Sequence, residues 1–307
     1  MDYSKLYQMD GLARAVGWPA AMSVLLRRAL RFGRAVKVRC RGHDLFVRPT
    51  DSDLFVVAQV FGHREYEIGK RGRAALSHLA SEWRKRGIVP VIVDAGANVG
   101  YSSIFLSDEY PDAVVMAVEP DPEAFEALEL NCAGLERITP VRGALWSHDG
   151  EVALVNDEAP SWAHAVSDGE GVPSITLKRL LRQVPRARLL MLKMDIEGAE
   201  LEATRDGRML KDVPCVVVEP HDFMFPGRGC LTHLYASLTM GGRSIDSLVN
   251  GENLIFLGSE LLAPAASRKR SPKRPAPSAG ANAGASAPKP ASPGAVVPSE
   301  GMSRHEH

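Results

Sequence analysis

The chain has 307 residues, 45% apolar and 24% charged, with 37 Lys and Arg balanced by 37 Asp and Glu. That composition excludes a solvating acidic chain and a basic nucleic-acid coat, and the length suffices for a large buried core. The balance is uneven along the chain: residues 264–307 hold 7 Lys and Arg against 2 Asp and Glu, which leaves 30 against 35 for the remainder.

No apolar run approaches the ~20 residues of a membrane span, and the first residues show no cleavable signal pattern. A cytoplasmic protein with neither integral membrane contact nor a nucleic-acid partner is expected. Cys40, Cys132, Cys215 and Cys230 lack paired spacing, so buried reduced thiols are expected rather than a zinc site or a disulfide scaffold.

Residues 19–34 predict an amphipathic helix with Met22, Leu25, Leu26 and Leu30 on its apolar side and Arg27, Arg28 and Arg31 opposite. Residues 36–47 suggest two strands around a Gly42-His43 turn, and residues 55–66 a short helix and loop. Residues 1–88 therefore form a helical and β-containing lead-in packed on a core. From residue 89 apolar strands (89–93, 114–118, 138–141, 189–194, 213–218) alternate with helical stretches (102–107, 122–132, 177–184, 199–206, 231–238). Residues 151–155 look like an inserted strand, and residues 243–245 and 253–257 close the sheet. This rhythm predicts an α/β domain over residues 89–258, a parallel sheet covered on both faces. The tail, residues 264–307, contains 10 Ala and 8 Pro. It buries too little apolar surface to offset the entropy of ordering and is predicted to be disordered.

In Val91-Ile92-Val93-Asp94-Ala95-Gly96-Ala97-Asn98-Val99-Gly100 an acidic residue ends a buried strand before a glycine-bearing turn into a helix. Ligands of open α/β sheets bind at the carboxyl ends of strands, and Gly96 and Gly100 let backbone approach a ligand without an intervening Cβ. A dinucleotide fingerprint begun at Gly96 needs glycine where the chain has Asn98 and Tyr101. The spacing D-x-G-x-x-x-G looks instead like the first motif of S-adenosylmethionine (SAM) dependent methyltransferases; the competing explanation is a turn shaped by sterics alone. Glu119-Pro120 ends the next strand, with Glu119 lying 19 residues after Gly100. A carboxylate there suits a ribose diol.

Together with Asn131 and Lys193-Met194-Asp195-Ile196-Glu197-Gly198-Ala199-Glu200, these strings resemble the ordered motifs of the FkbM-type methyltransferase family. Arg48-Pro49 and Glu65-Tyr66 resemble its lead-in, and the resemblance covers roughly residues 38–257. It implies a class I methyltransferase (Rossmann-like) fold, a seven-stranded mostly parallel sheet with one antiparallel strand. It further implies SAM as cofactor and O-methylation of a hydroxyl on a sugar, glycan or small metabolite. By the same resemblance Asp94, Gly96 and Asn98 line the methionine and sulfonium end, Glu119 holds the ribose, and Gly143 and Ala144 lie near the adenine. Gly100, Pro120 and Asp195 complete the cofactor set.

A hydroxyl is a poor nucleophile at neutral pH and needs a positioned base or a metal. Asp195, beside the cofactor crevice, can orient the acceptor, act as base or ligate a divalent cation. Alternation puts Lys193, Asp195 and Glu197 on one side if the strand continues that far. Glu197 is expected to open the next helix, where the dipole alone favours a carboxylate; otherwise it touches substrate. Glu219-Pro220-His221 follows the fifth strand, and His221 is the histidine placed where catalysis occurs. The catalytic candidates are thus Asp195, His221, Lys193 and Glu219, with Lys193 alternatively pairing Asp195 or Glu219. Mg²⁺ suits Asp195 and Glu219 oxygens, yet the sequence holds no compact ligand cluster and no metal site is expected. Trp162 and His164 either contact a sugar or anchor a loop. Two competing functions are an NAD-type oxidoreductase, opposed by the broken glycine spacing, and a noncatalytic SAM-binding module, opposed by intact Asp94, Gly96, Glu119 and Asp195.

Overall fold

Strands buried on both faces read as continuous apolar runs, and the centre of this molecule is built from them. The computed structural model describes residues 3–31, 35–49, 52–155, 165–169 and 171–263, which fall in one unit, Met1–Arg268. The tail, and the loop carrying Trp162 and His164, lie outside the described residues.

The lead-in comprises α1 (Tyr3–Val16), α2 (Trp18–Ala29), the hairpin β1 (Val36–Cys40) and β2 (His43–Val47), α3 (Asp53–Val57) with a π-helical turn (Ala58–His63), and α4 (Gly69–Lys85). The sheet domain then runs β3 (Val89–Ala95), α5 (Tyr101–Glu109), β4 (Val114–Glu119), α6 (Pro122–Cys132) and β5 (Ile138–Arg142). Four short strands follow: β6 (Ala144–Leu145), β7 (Gly150–Val155), β8 (Ala165–Asp168) and β9 (Val172–Ile175). The chain continues through α7 (Leu177–Arg182), β10 (Ala187–Met194), α8 (Glu200–Ala203), β11 (Cys215–Val218), α9 (Thr232–Leu238), β12 (Ile245–Asn250), β13 (Asn253–Gly258) and α10 (Ser259–Leu262).

The central sheet has seven strands in the order β12-β13-β11-β10-β3-β4-β5, parallel except where β13 pairs its two neighbours. From β3 the chain builds outward through β4 and β5, then returns to place β10 on the other side, so the order reverses between β3 and β10. That reversal is the switch point where open α/β sheets bind ligands.

Alternation along the strands feeds two apolar layers. Val91, Val93, Met116, Val118, Leu192, Val216 and Val218 pack on one face with Leu180 of α7 and Leu234 of α9. Ile92, Val115, Ala117 and Val217 pack on the other with Leu76 of α4, Phe105 of α5 and Leu128 of α6. Each fully buried aliphatic side chain contributes about 1.5–3 kcal/mol, so the burial pattern fixes which residues face which layer. Asp94 and Lys193 occupy alternate positions on the second face, where their charges require partners.

Three expectations are corrected. The strand at residues 151–155 is one member of a separate four-stranded sheet, β6-β9-β7-β8. The basic helix spans Trp18–Ala29 and buries Ala21 and Val24, leaving Met22, Leu26 and Leu30 more than half exposed. Its cationic and buried faces overlap: Arg28 stacks 4.7 Å over the Phe55 ring, which rotates the expected apolar stripe outward. Finally, α1 and α4 are additional helices of the lead-in.

Polar ties bind the lead-in to the sheet. Asn131 accepts from the Phe46 N–H at 2.7 Å and donates to the Val99 carbonyl at 2.9 Å, while the Tyr101 hydroxyl donates to the Phe46 carbonyl at 2.7 Å. Glu109, at the end of α5, receives Arg73 at 2.8 Å, Arg64 at 3.0 Å and Arg41 at 3.3 Å. All four cysteines are buried and free. Among the described residues no helix is long and apolar enough to cross a membrane.

Candidate active site

The turn after β3 is shaped by its backbone. Gly96 has φ +74°, and a Cβ there would collide with the Asp195 carbonyl oxygen, so only glycine lets the two strand ends approach this closely. The Gly96 and Ala97 N–H groups both donate to the Val118 carbonyl at 3.0 Å, which fastens the turn to β4. Gly100 precedes α5 at φ +92°; a Cβ there would meet Leu128 at 2.7 Å and Cys132 Sγ at 3.1 Å, so this glycine serves helix packing.

Beneath the turn, Asp94 is fully buried and accepts from the Ser102 and Ser103 hydroxyls at 2.7 and 2.6 Å. Lys193, in register with it across the β3–β10 pair, approaches Asp94 Oδ1 at 3.2 Å and donates to the Gly96 carbonyl at 2.7 Å. Burial works against its charge, but Asp94 and the neighbouring Tyr66 and Asp195 hold the ammonium well above its ordinary pKa.

Glu119 ends β4 and is 6% exposed. One carboxylate oxygen accepts the Asn98 N–H at 2.7 Å and the other the Asp121 N–H at 2.8 Å. Burial pushes this carboxyl up to about 7, opposed by those two backbone donors. Each oxygen keeps a further lone pair, and Asn98 Oδ1 is buried without a hydrogen-bond partner among the described residues.

A cleft of about 870 Å³ opens over these groups. Gly96, Asn98, Glu119, Pro120 and Ala144 line it, as do Lys193, Asp195, Glu197, Glu219 and His221. The lead-in contributes Tyr7, Phe55, Gln59, Glu65 and Tyr66, and the segment after His221 contributes Phe223 and Met224. Asp94, Gly100 and Gly143 do not line it. Asp94 is occupied by Lys193 and the two serines, and Gly143 is pressed against the Pro173 carbonyl of β9, with a Cβ there meeting that oxygen at 2.7 Å.

The chemical half converges from the ends of β10 and β11. Strand geometry ends at Met194, and Glu197 adopts a left-handed φ of +53° in the turn before α8, so it neither continues the strand nor opens the helix. Gly198 follows at φ +91°, with the Phe225 ring packed where a Cβ would stand. Lys193 pairs Asp195 at 3.7 Å. No pairing of Lys193 with Glu219 occurs within 4.0 Å among the described residues.

His221 is 2% exposed, and its Nδ1 lies 2.7 Å from Oε1 of the fully buried Glu200. Its Nε2 is 3.4 Å from Glu197 and 3.9 Å from both Asp195 and Glu219. Burial disfavours the imidazolium, but the Glu200 hydrogen bond and the surrounding carboxylates outweigh it and raise His221 to about 9. Burial, reinforced by Asp195, raises Glu197 to about 7 and pushes Glu219 up as well. Side chains that the sequence keeps apart come together in space. One ligand atom each from Asp195, Glu197 and His221 lie within 4.8 Å of one another.

The cleft fits an adenosyl sulfonium cofactor on two grounds: the free lone pairs of a fixed carboxylate and an orphaned amide oxygen beside it. With the strand order, these features define a domain of the class I methyltransferase fold. Residues 94–244 match the family described as methyltransferase FkbM domain.

The chain is 29% identical to methyltransferase sdnD of Sordaria araneosa, over 38% of this chain and 60% of that protein. It is 26% identical to methyltransferase 1 of Beauveria bassiana (strain ARSEF 2860), over 37% of this chain and 57% of that one. The match thus spans about 60% of the length of these curated relatives. Among solved structures, the O-methyltransferase TomG from Streptomyces achromogenes aligns at 16% identity and a TM-score of 0.35, covering 64% of this chain and 85% of that one.

Proposed function

We propose that this protein transfers the methyl group of SAM to a hydroxyl of a sugar, glycan or small metabolite. The observation that carries this reading is the placement of Glu119 and Asp195 in one cleft, at the ends of strands on either side of β3. Bound there, SAM supplies an electrophilic methyl on a sulfonium whose departure as a neutral thioether needs no acid.

The chain's own residues then have separable tasks. Glu119 accepts the ribose hydroxyls while Asn98 and Asp121 hold its two oxygens. Lys193 is a positioning residue, tying the Gly96 carbonyl to Asp94 and so setting the turn that faces the sulfonium. Asp195, partly exposed at the cleft wall, orients the acceptor hydroxyl and takes its proton. Holding acceptor and methyl in line contributes about 7–11 kcal/mol to lowering the barrier. Phe223, 76% exposed beside the cleft, offers an apolar face to the acceptor.

The test is transfer of label from methyl-labelled SAM to a panel of sugar and alcohol acceptors, with calorimetric titration of S-adenosylhomocysteine and of NAD⁺ alongside. Binding of S-adenosylhomocysteine with labelled ether product supports the proposal. Binding of NAD⁺ alone, or product labelled only at nitrogen, overturns it.

A further inference from the structure

Asp195 and Glu197 follow β10, His221 follows β11, and these two strands are parallel neighbours. Their ends therefore deliver two carboxylates and an imidazole to one point. The ligand atoms lie within 4.8 Å of one another, and the Glu197 to His221 approach is 3.4 Å. An octahedral set with bonds of about 2.1 Å has edges of roughly 3.0 Å, so modest rotation of the partly exposed Asp195 and Glu197 side chains completes it.

A second observation separates this cluster from an ordinary acidic patch. His221 is 98% buried by its 2% exposure, and its Nδ1 is committed to Glu200. With Nδ1 turned to Glu200, Nε2 is the ring nitrogen left to face the cleft. Nε2 is directed at oxygens of Asp195, Glu197 and Glu219, 3.4–3.9 Å away. Three carboxylates converge on Nε2, and a divalent cation can take the place of its proton between them, releasing that proton on binding. A buried carboxylate behind the far nitrogen is the support that metal-ligating histidines use.

We propose that Asp195, Glu197 and His221 bind a divalent cation of the Mn²⁺ or Mg²⁺ type, with Glu200 as the positioning residue that orients the imidazole. Carboxylate oxygens with one imidazole suit such ions. Its catalytic use rests on the methyl-transfer reading, since a cation here lowers the pKa of an acceptor hydroxyl next to Asp195; the binding itself does not.

The experiment titrates Mn²⁺ alone into the full chain and follows the free-ion signal by electron paramagnetic resonance, with S-adenosylhomocysteine binding measured calorimetrically on the same samples. One Mn²⁺ per chain is expected, displaced by excess Mg²⁺. Binding should weaken at least tenfold in Glu197→Gln and about 10–100-fold in Glu200→Gln, with thermal unfolding confirming that each variant is folded. Two results overturn the site: no Mn²⁺ bound at millimolar concentration, or equal binding by wild type and Glu197→Gln. If Mn²⁺ binds as expected and S-adenosylhomocysteine does not, the metal site stands and the cofactor reading fails.

Discussion

Lys193 and Asp94 are register partners on adjacent parallel strands, with Nζ 3.2 Å from Oδ1 and both side chains sealed from solvent. Removing one charge strands the other. Lys193→Met should lower stability by about 3–5 kcal/mol, read by urea unfolding, and adding Asp94→Asn should recover part of that loss. A single-variant loss under about 1 kcal/mol means the pair is not what holds this end of the sheet.

Glu119 predicts both a magnitude and a pH profile. Glu119→Ala should weaken SAM binding by about 2 kcal/mol. The free carboxyl sits at about 7 because of burial, and ribose hydroxyls donate more strongly to its ionised form. Binding therefore releases a proton below that value, and affinity should rise with pH toward 7, by up to about tenfold per unit, then level off. Calorimetry from pH 5.5 to 8.5 checks this, and Glu119→Gln should flatten the profile.

Gly96→Ala places a methyl group on the Asp195 carbonyl in a left-handed turn. The turn must move away from β10, so SAM affinity should fall more than tenfold while the far-UV circular dichroism spectrum stays unchanged. Retained affinity would show that the turn is not part of the cofactor cradle.

Asp195→Asn keeps shape and removes basicity. Turnover should drop about 10²–10⁴-fold with SAM affinity changed little; comparable losses in both would make Asp195 a cofactor ligand instead.

Glu109 gathers Arg41, Arg64 and Arg73, and their hydrogen bonds outweigh its burial to hold its carboxyl below the ordinary value. A depressed folded pKa contributes stability that is complete above the unfolded value and is lost as pH falls through the folded one. Wild type should thus lose stability below about pH 4.5 more steeply than Glu109→Gln. Because the arginines are partly solvated, the difference at neutral pH is roughly 1–3 kcal/mol, measurable by thermal melts.

The strands of the central sheet and the cofactor turn were legible because both are local. Val91 to Gly100 carries the buried run, the acidic end and the glycines within ten residues. What escaped depends on neighbours distant in sequence. Glu200 meets His221 only because β10 and β11 pair, bringing residues 21 apart to 2.7 Å. Helix α4 buries only the stripe Gly72, Leu76, Ala80 and Trp83, too narrow to stand out before the sheet is known. Asp94 reads as a cofactor contact by position, yet the register with Lys193 turns it into the support under the turn. In the second sheet β7 stands out in the sequence, whereas β6, β8 and β9 have two to four residues, short enough to pass as loop.

Cys132 lies directly behind the cofactor turn, packed where Gly100 lacks a side chain, and burial holds its thiol at about 12. Such a sulfhydryl reacts with an alkylating reagent only when α5 and α6 part. Its modification rate is therefore a clock for the parting of α5 and α6 behind the turn, and a ligand that fastens the turn should make that clock run slow.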